Sequence, residues 1–292
     1  MQLVSSFTPT LVWSQRKKRA ERLRDNQSHA AELLSFYEQI LKIQEPIFVK
    51  AYRSSWLRSV EVSTSVRGQV PWLQLNRLPR RSRERAFVSF VKSFPTSSTE
   101  ILRAIVERLR TEPTTTCRLL EAFLNHQAID DVAASLDCAA LPLEFFPRAF
   151  VQPITEALAR RVKRTYVDAG STPTYCPYCG SLPFVSVLRD GPDIKGRRTL
   201  CCSLCASEWM FPRSCCPNCG EQRPDELEYH VSELWSHVRV EECRSCRTYL
   251  KAIDLRVNGL AVPVVDELAS VELDLWASER GMAKLRHNVL GL

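Results

Sequence analysis

Ten of the chain's twelve cysteines fall between residues 176 and 246, and eight of them form four Cys-x-x-Cys pairs: Cys176/Cys179, Cys202/Cys205, Cys216/Cys219 and Cys243/Cys246. Two residues between thiolates let a tight turn carry both sulfurs to one ion. Two such turns face to face make a tetrahedral four-sulfur set, which selects Zn²⁺ or iron. The gaps inside the two halves are nearly equal, twenty-two residues from Cys179 to Cys202 and twenty-three from Cys219 to Cys243, which points to one unit used twice. The first pair of each unit reads Cys-Pro-x-Cys-Gly (Cys176-Pro177-Tyr178-Cys179-Gly180 and Cys216-Pro217-Asn218-Cys219-Gly220), and the second pair lacks both Pro and Gly. Proline sets φ for the turn and glycine supplies the left-handed residue that closes it. The assignment is Cys176, Cys179, Cys202 and Cys205 to one metal ion, and Cys216, Cys219, Cys243 and Cys246 to another. A crossed arrangement, with the first and third pairs sharing a metal, satisfies the same spacing. Disulfides suit an exported chain, and no export signal is read here.

The remaining candidates are weaker. Cys201 and Cys215 directly precede expected ligands and read as packing or surface cysteines, and Cys117 and Cys138 as core. His230 and His237 lie between the pairs of the second unit, where solvated strand positions are expected. Asp130-Asp131 is a carboxylate pair without a visible partner. No P-loop, dinucleotide turn, zinc-protease helix or nucleophile elbow is present, and a four-cysteine set leaves no open position for catalysis. The expectation is a non-enzyme.

At 292 residues, 45% of them apolar, the chain can bury a core and make about two domains. No apolar run approaches the ~20 residues that cross a bilayer. The short apolar stretch Leu11-Val12-Trp13 precedes the basic run Arg16 to Arg19, the reverse of export order, so a cytoplasmic protein is expected. The formal charge of +7 raises nucleic-acid binding, but residues 171–254 carry 10 Lys or Arg against 11 Asp or Glu. Two divalent ions on eight thiolates would take that segment to about −5, the wrong sign for gripping phosphates. Basic clusters at 16–19, 80–85 and 160–164 read as solvated helix faces.

Helical periodicity runs through the first half: Leu33 to Leu41, then Phe87 to Phe94, Ile101 to Leu109, Leu119 to Leu124, a short stretch at 129–136, and a last helix from about Phe145 to Tyr166. Residues 1–25 are expected to be poorly ordered at the start, Pro46 and Pro153 to kink or end helices, and Thr114 to Thr116 to cap one. Residues 1–168 thus form an all-α domain, joined by the linker 169–174 to two metal modules, 169–212 and 213–260. Strands are expected at Phe184 to Leu188 and Val231 to Val240, with Trp209 and Tyr249 packed over the sites. So small a segment folds because metal holds it, by on the order of 10–16 kcal/mol per structural zinc. A helix after Pro263 and an uninformative tail complete 261–292.

The runs Cys176 to Pro183, Leu200 to Trp209 with its Ser207-Glu208-Trp209, Cys216 to Cys219, and Glu242 to Lys251 with its Thr248-Tyr249-Leu250-Lys251 closely resemble the FdhE family of formate dehydrogenase accessory proteins. The likeness continues through Asp266 to Ala269 and Leu273-Asp274. It implies an α-helical domain followed by tandem rubredoxin-like modules with two metal ions, iron (Fe²⁺/Fe³⁺) favoured over Zn²⁺. It also implies a cytoplasmic assembly factor that binds the catalytic subunit of a respiratory formate dehydrogenase before export. A zinc-ribbon nucleic-acid binder and a rubredoxin-like electron carrier are the alternatives.

Overall fold

The computed structural model describes residues 11–61, 71–95, 99–162, 173–192 and 194–291. A helical half comes first: α1 Leu11–Asn26, α2 Ala31–Arg53, α3 Leu57–Val60, α4 Arg80–Lys92, α5 Glu100–Thr111, α6 Pro113–Leu124, α7 Asp130–Ser135 and α8 Ala140–Ala159. A sheet of seven strands follows, β1 Pro183–Arg189, β2 Arg197–Cys202, β3 Glu208–Met210, β4 Leu227–Val231, β5 Val238–Cys243, β6 Thr248–Asp254 and β7 Ala283–Lys284. Between β6 and β7 lie two short helices, α9 Pro263–Ala269 and α10 Val271–Glu279, in place of the single helix that the pattern predicts. Most of the expected linker lies outside the described residues.

Helix α8 is the hub of the helical half. Its residues from Phe145 to Ala159 are all buried, and Phe145, Phe146 and Phe150 meet Phe87, Phe90 and Phe94 at centroid distances of 5.1–5.7 Å. Such tilted and edge contacts suit aromatic quadrupoles. Pro153 predicts a kink or a later start, yet the helix runs through it. A proline leaves the carbonyl four residues earlier without its helical donor. Here that carbonyl, Ala149 O, accepts a 2.7 Å hydrogen bond from Gln44 Nε2 of α2. Thr114 to Thr116 lie inside α6 rather than capping it: Pro113 begins the helix, and Thr116 Oγ1 donates to Leu109 O at 2.7 Å.

The other departure is α1. It is an ordered helix whose inward face holds Trp13, Arg16, Arg19, Ala20 and Leu23. The pattern reads as polar because arginines occupy core positions, each matched by a buried acid. Arg16 reaches both carboxylate oxygens of Glu156 on α8, at 2.8 and 3.0 Å. Arg19 Nε lies 3.0 Å from Asp266 on α9, whose other oxygen is 2.7 Å from His237 Nε2. Helix α1 therefore ties the helical half to the sheet half, and His237 is buried at this junction rather than solvated.

The strand order is β3-β2-β1-β6-β5-β4. Each metal unit contributes an antiparallel three-stranded meander, β1-β2-β3 and β4-β5-β6, and the two join by a parallel pairing of β1 with β6. The sheet is thus continuous across residues 212 and 213. Strand β7 pairs with the start of β6, and Ala283 N–H donates to Arg247 O at 2.9 Å. The tail beyond it is fastened by Arg286 to Glu144 and by Asn288 to Glu267.

Candidate metal centres

All four Cys-x-x-Cys pairs sit in the same local turn. In three of them the first cysteine's carbonyl accepts from the residue after the second cysteine: Gly180 N–H at 2.8 Å, Ala206 at 3.2 Å and Gly220 at 3.0 Å. That residue is left-handed in every pair, with φ of 78° at Gly180 and Gly220, 52° at Ala206 and 56° at Arg247. The second pair of each unit therefore makes the same turn without glycine, against a cost of roughly 1–2 kcal/mol. Backbone N–H groups of Leu204 and Cys205 point at Cys202 Sγ, at 3.3 and 3.4 Å, and that of Asn218 at Cys216 Sγ, at 3.4 Å.

The turns bring the sulfurs together in tandem order, Cys176, Cys179, Cys202 and Cys205 in one group and Cys216, Cys219, Cys243 and Cys246 in another, with all sulfurs of a group within 4.8 Å. Cys176 and Cys205 are 3.5 Å apart and Cys179 and Cys202 3.4 Å in the first group, and Cys216 with Cys246 and Cys219 with Cys243 are each 3.7 Å apart in the other. A disulfide needs about 2.05 Å, whereas four sulfurs about 2.3 Å from a tetrahedral ion lie about 3.8 Å apart. The donor set fits a metal ion. Its electrostatics agree. Burial pushes the Cys176, Cys202 and Cys205 thiols up, while hydrogen bonds from those three pull Cys179 well down. Four thiolates in one such pocket require a cation. In the second group burial opposes ionisation of Cys246, yet hydrogen bonds led by that of Thr248 bring it down to about 6.

Both groups lie at one end of the sheet. Cys202 ends β2 and Cys243 ends β5, two strands that stand three places apart in the sheet order, and β7 pairs with β6 at this end. Their surroundings differ. The first group is buried throughout, from 0% exposure at Cys176 to 5% at Cys179. Its first turn is docked on the helical half: Trp72 N–H donates to Pro177 O and Leu73 N–H to Tyr178 O, at 3.1 and 2.8 Å. The Trp72 and Tyr178 rings meet edge to face at 4.9 Å. A cavity of about 870 Å³ beside this junction is lined by Leu73, Asn125, Glu144, Arg148 and Cys179. In the second group Cys219 is exposed and Cys246 half-buried. That group is braced from its own unit, by Ser245 Oγ on Glu221 and Glu226 at 2.8 and 3.0 Å.

The other candidates are not drawn in. Cys201 is buried and outside the first group of sulfurs, and burial raises its thiol well above the usual range. Cys215 is buried with Sγ toward Cys216 O, and Cys117 and Cys138 are half-buried. His230 Nε2 is 2.9 Å from Glu242, forming with Glu228 a half-buried His-Glu-Glu cluster that sequence reasoning did not single out. Trp209 donates through Nε1 to Pro173 O, and Tyr249 through its hydroxyl to Asp274. Asp130 and Asp131 occupy the first turn of α7, where the helix dipole favours acids.

Comparison with known proteins agrees with this architecture. Residues 175–213 match the model for the FdhE central domain, and residues 215–290 that for the FdhE C-terminal domain. An FdhE homolog from Aquifex aeolicus is 39% identical over 173 residues, covering 59% of this chain and 57% of that protein. One from Glaesserella parasuis is 26% identical over 292 residues, covering 97% and 92%. In fold, the crystal structure of the FdhE protein from Pseudomonas aeruginosa superposes with a TM-score of 0.70 over 96% of this chain and 95% of that one, at 24% identity. Both cysteine groups thus lie inside stretches that match the FdhE central and C-terminal domains, and the helical half shares its fold with the solved FdhE protein.

Proposed function

We propose that the protein is a cytoplasmic accessory factor for formate dehydrogenase formation, binding the catalytic subunit before export and holding two metal ions, iron in preference to zinc. The ligands are Cys176, Cys179, Cys202 and Cys205 in one centre and Cys216, Cys219, Cys243 and Cys246 in the other. The observation that carries this reading is the pair of four-sulfur groups within matched FdhE domains. Four sulfurs fill a tetrahedral ion and leave no position for a substrate, which supports assembly rather than catalysis. The working division is a helical domain at 1–168, metal modules at 169–212 and 213–260 within one sheet, and a closing segment at 261–292. No helix among the described residues is long and apolar enough to cross a membrane.

The alternative of nucleic-acid binding loses support from the ion pairs. Arg16, Arg19 and Arg83, from the basic clusters at 16–19 and 80–85, are buried on acids or carbonyls rather than free for phosphates. An electron-carrier reading draws on exposed Cys219, through which a redox partner reaches the second centre.

The test is anaerobic affinity purification from the native cell, with partners identified by mass spectrometry and metal assayed on the same sample. A formate dehydrogenase catalytic subunit together with iron is expected. Recovery of RNA or transcription proteins with zinc alone would overturn the reading.

A further inference from the structure

The two metal units are built alike and joined head to tail, so one edge of the repeat is covered and its counterpart is free. In the first unit β1 pairs with β2 in the register Val185↔Cys201, Ser186↔Leu200, Val187↔Thr199 and Leu188↔Arg198. In the second, β4 pairs with β5 as Glu228↔Glu242, Tyr229↔Glu241, His230↔Val240 and Val231↔Arg239. Counting from the paired cysteines Cys202 and Cys243, residues 228–231 of β4 stand where residues 185–188 stand in β1. The other edge of 185–188 is occupied by residues Lys251 to Asp254 of β6, running parallel. Among the described residues the sheet ends at β4.

Of the devices that usually blunt an edge, this one has a single charge, Glu228, which is paired with Arg244. It has no proline, no lysine and no register shift, and it presents Tyr229 and Val231, 63% and 72% exposed, with Leu234 at 58% just beyond. The opposite edge, β3, is three residues long and carries Glu208. Acids frame β4. Asp225 precedes it and Glu233 follows it; both are exposed, and neither is in an ion pair among the described residues. In the register of the first unit, the residue opposite Glu228 is the counterpart of Lys251.

We propose that the outer edge of β4 is a docking site for an extended segment of a partner protein, added as a parallel strand in the place that β6 takes on β1. The segment alternates apolar residues, with basic residues at its ends facing Asp225 and Glu233, and a lysine or arginine that joins Arg244 on Glu228. Main-chain hydrogen bonds hold it, and Tyr229, Val231 and the flanking acids select it. The inference goes beyond the family reading and does not depend on which protein is the client.

The probe is a fluorescein-labelled peptide copying Thr248 to Asp254, with a lysine added at each end, titrated by polarisation against the full-length metal-loaded protein. Saturable binding is expected. Val231→Lys should weaken it by on the order of tenfold and Val231→Thr should leave it nearly unchanged. Because Val231 is exposed, both variants should keep wild-type metal content. Paired replacement of Asp225→Asn and Glu233→Gln should weaken binding more at low salt than at high salt. Absence of saturable binding to the wild-type protein, or equal binding to Val231→Lys, overturns the proposal. So does concentration-dependent self-association that Val231→Lys abolishes, since the edge would then belong to a second copy of this chain.

Discussion

The two cysteine groups share one turn, repeated four times, and differ in what surrounds them. The first is sealed between the sheet and the helical half, and a backbone segment of that half, Trp72-Leu73, lies directly on its leading turn. The other group faces outward through Cys219 and is braced by side chains of its own unit. Local sequence sets the ability to gather four sulfurs; packing sets what the gathering supports. On this account the first centre is a joint between two halves of the molecule, and the second is a reachable surface.

Cysteine replacement separates the two most sharply. Cys176→Ser removes a buried ligand, and losing a structural site worth on the order of 10 kcal/mol matches the whole stability of a typical domain. Insoluble protein, or protein without a cooperative thermal transition, is expected. Cys219→Ser should lose metal from the second centre only, with soluble protein and an unchanged far-ultraviolet signal from the helices. Equal behaviour of the two variants would break the comparison.

The junction over the first centre is held by charge as well. Arg19→Met leaves Asp266 buried with His237 and the Val262 N–H but without its guanidinium, and breaking such a pair costs about 3–5 kcal/mol. Urea denaturation of the metal-loaded variant measures this. A loss below about 1 kcal/mol, the range of a surface pair, would mean that α1 does not fasten the halves.

The glycines sharpen the comparison at smaller scale. Gly180 and Gly220 have the same φ of 78°, so alanine at either meets a left-handed penalty of roughly 1–2 kcal/mol. At Gly180 the new Cβ would also lie 2.8 Å from Pro71 Cγ, whereas at Gly220 nothing lies within 4 Å. Gly180→Ala is expected to be the more destabilising, and the excess measures how tightly the helical half presses on the first turn. Ala206→Gly should stabilise by about 1 kcal/mol.

The smallest effect is a pH dependence at the junction. Burial alone would raise the Asp266 carboxyl, but hydrogen bonds from His237 and Arg19 hold it below its ordinary value. A carboxyl depressed in the folded state contributes stability that is complete above the unfolded value of about 3.9. That contribution is lost as pH falls through the folded value. The stability gap between wild type and Asp266→Asn, from urea midpoints, should be constant near neutrality and close in acid. A gap that widens in acid would contradict this sign.

The four Cys-x-x-Cys pairs were legible because they are local, and spacing separated their eight cysteines from Cys201 and Cys215; the choice of tandem over crossed grouping came only with the fold. The longer helices from Ala31 to Ala159 were legible from their period, whereas the four-residue α3 was not read and α9 and α10 were read as one helix. Helix α1 was not, because Arg16 and Arg19 occupy its buried face and only Glu156 and Asp266, 140 and 247 residues away, explain them. Pro153 misled for the same reason, since the donor that rescues Ala149 O is Gln44. His237 reads as solvated until α9 is placed on it. The fusion of two units into one sheet depends on the parallel β1–β6 pairing, a contact between distant segments that leaves no mark on either strand's own pattern.

The most direct test of the joint-and-surface account is metal release from the wild-type protein under a chromogenic chelator, followed together with near-ultraviolet circular dichroism. Two phases are expected. The fast phase should release one metal per chain, be missing from Cys219→Ser, and leave the aromatic signal of the helical half intact. The slow phase should carry that signal away with the other metal. Release of both metals in a single phase, or loss of the aromatic signal in the fast phase, would contradict the account.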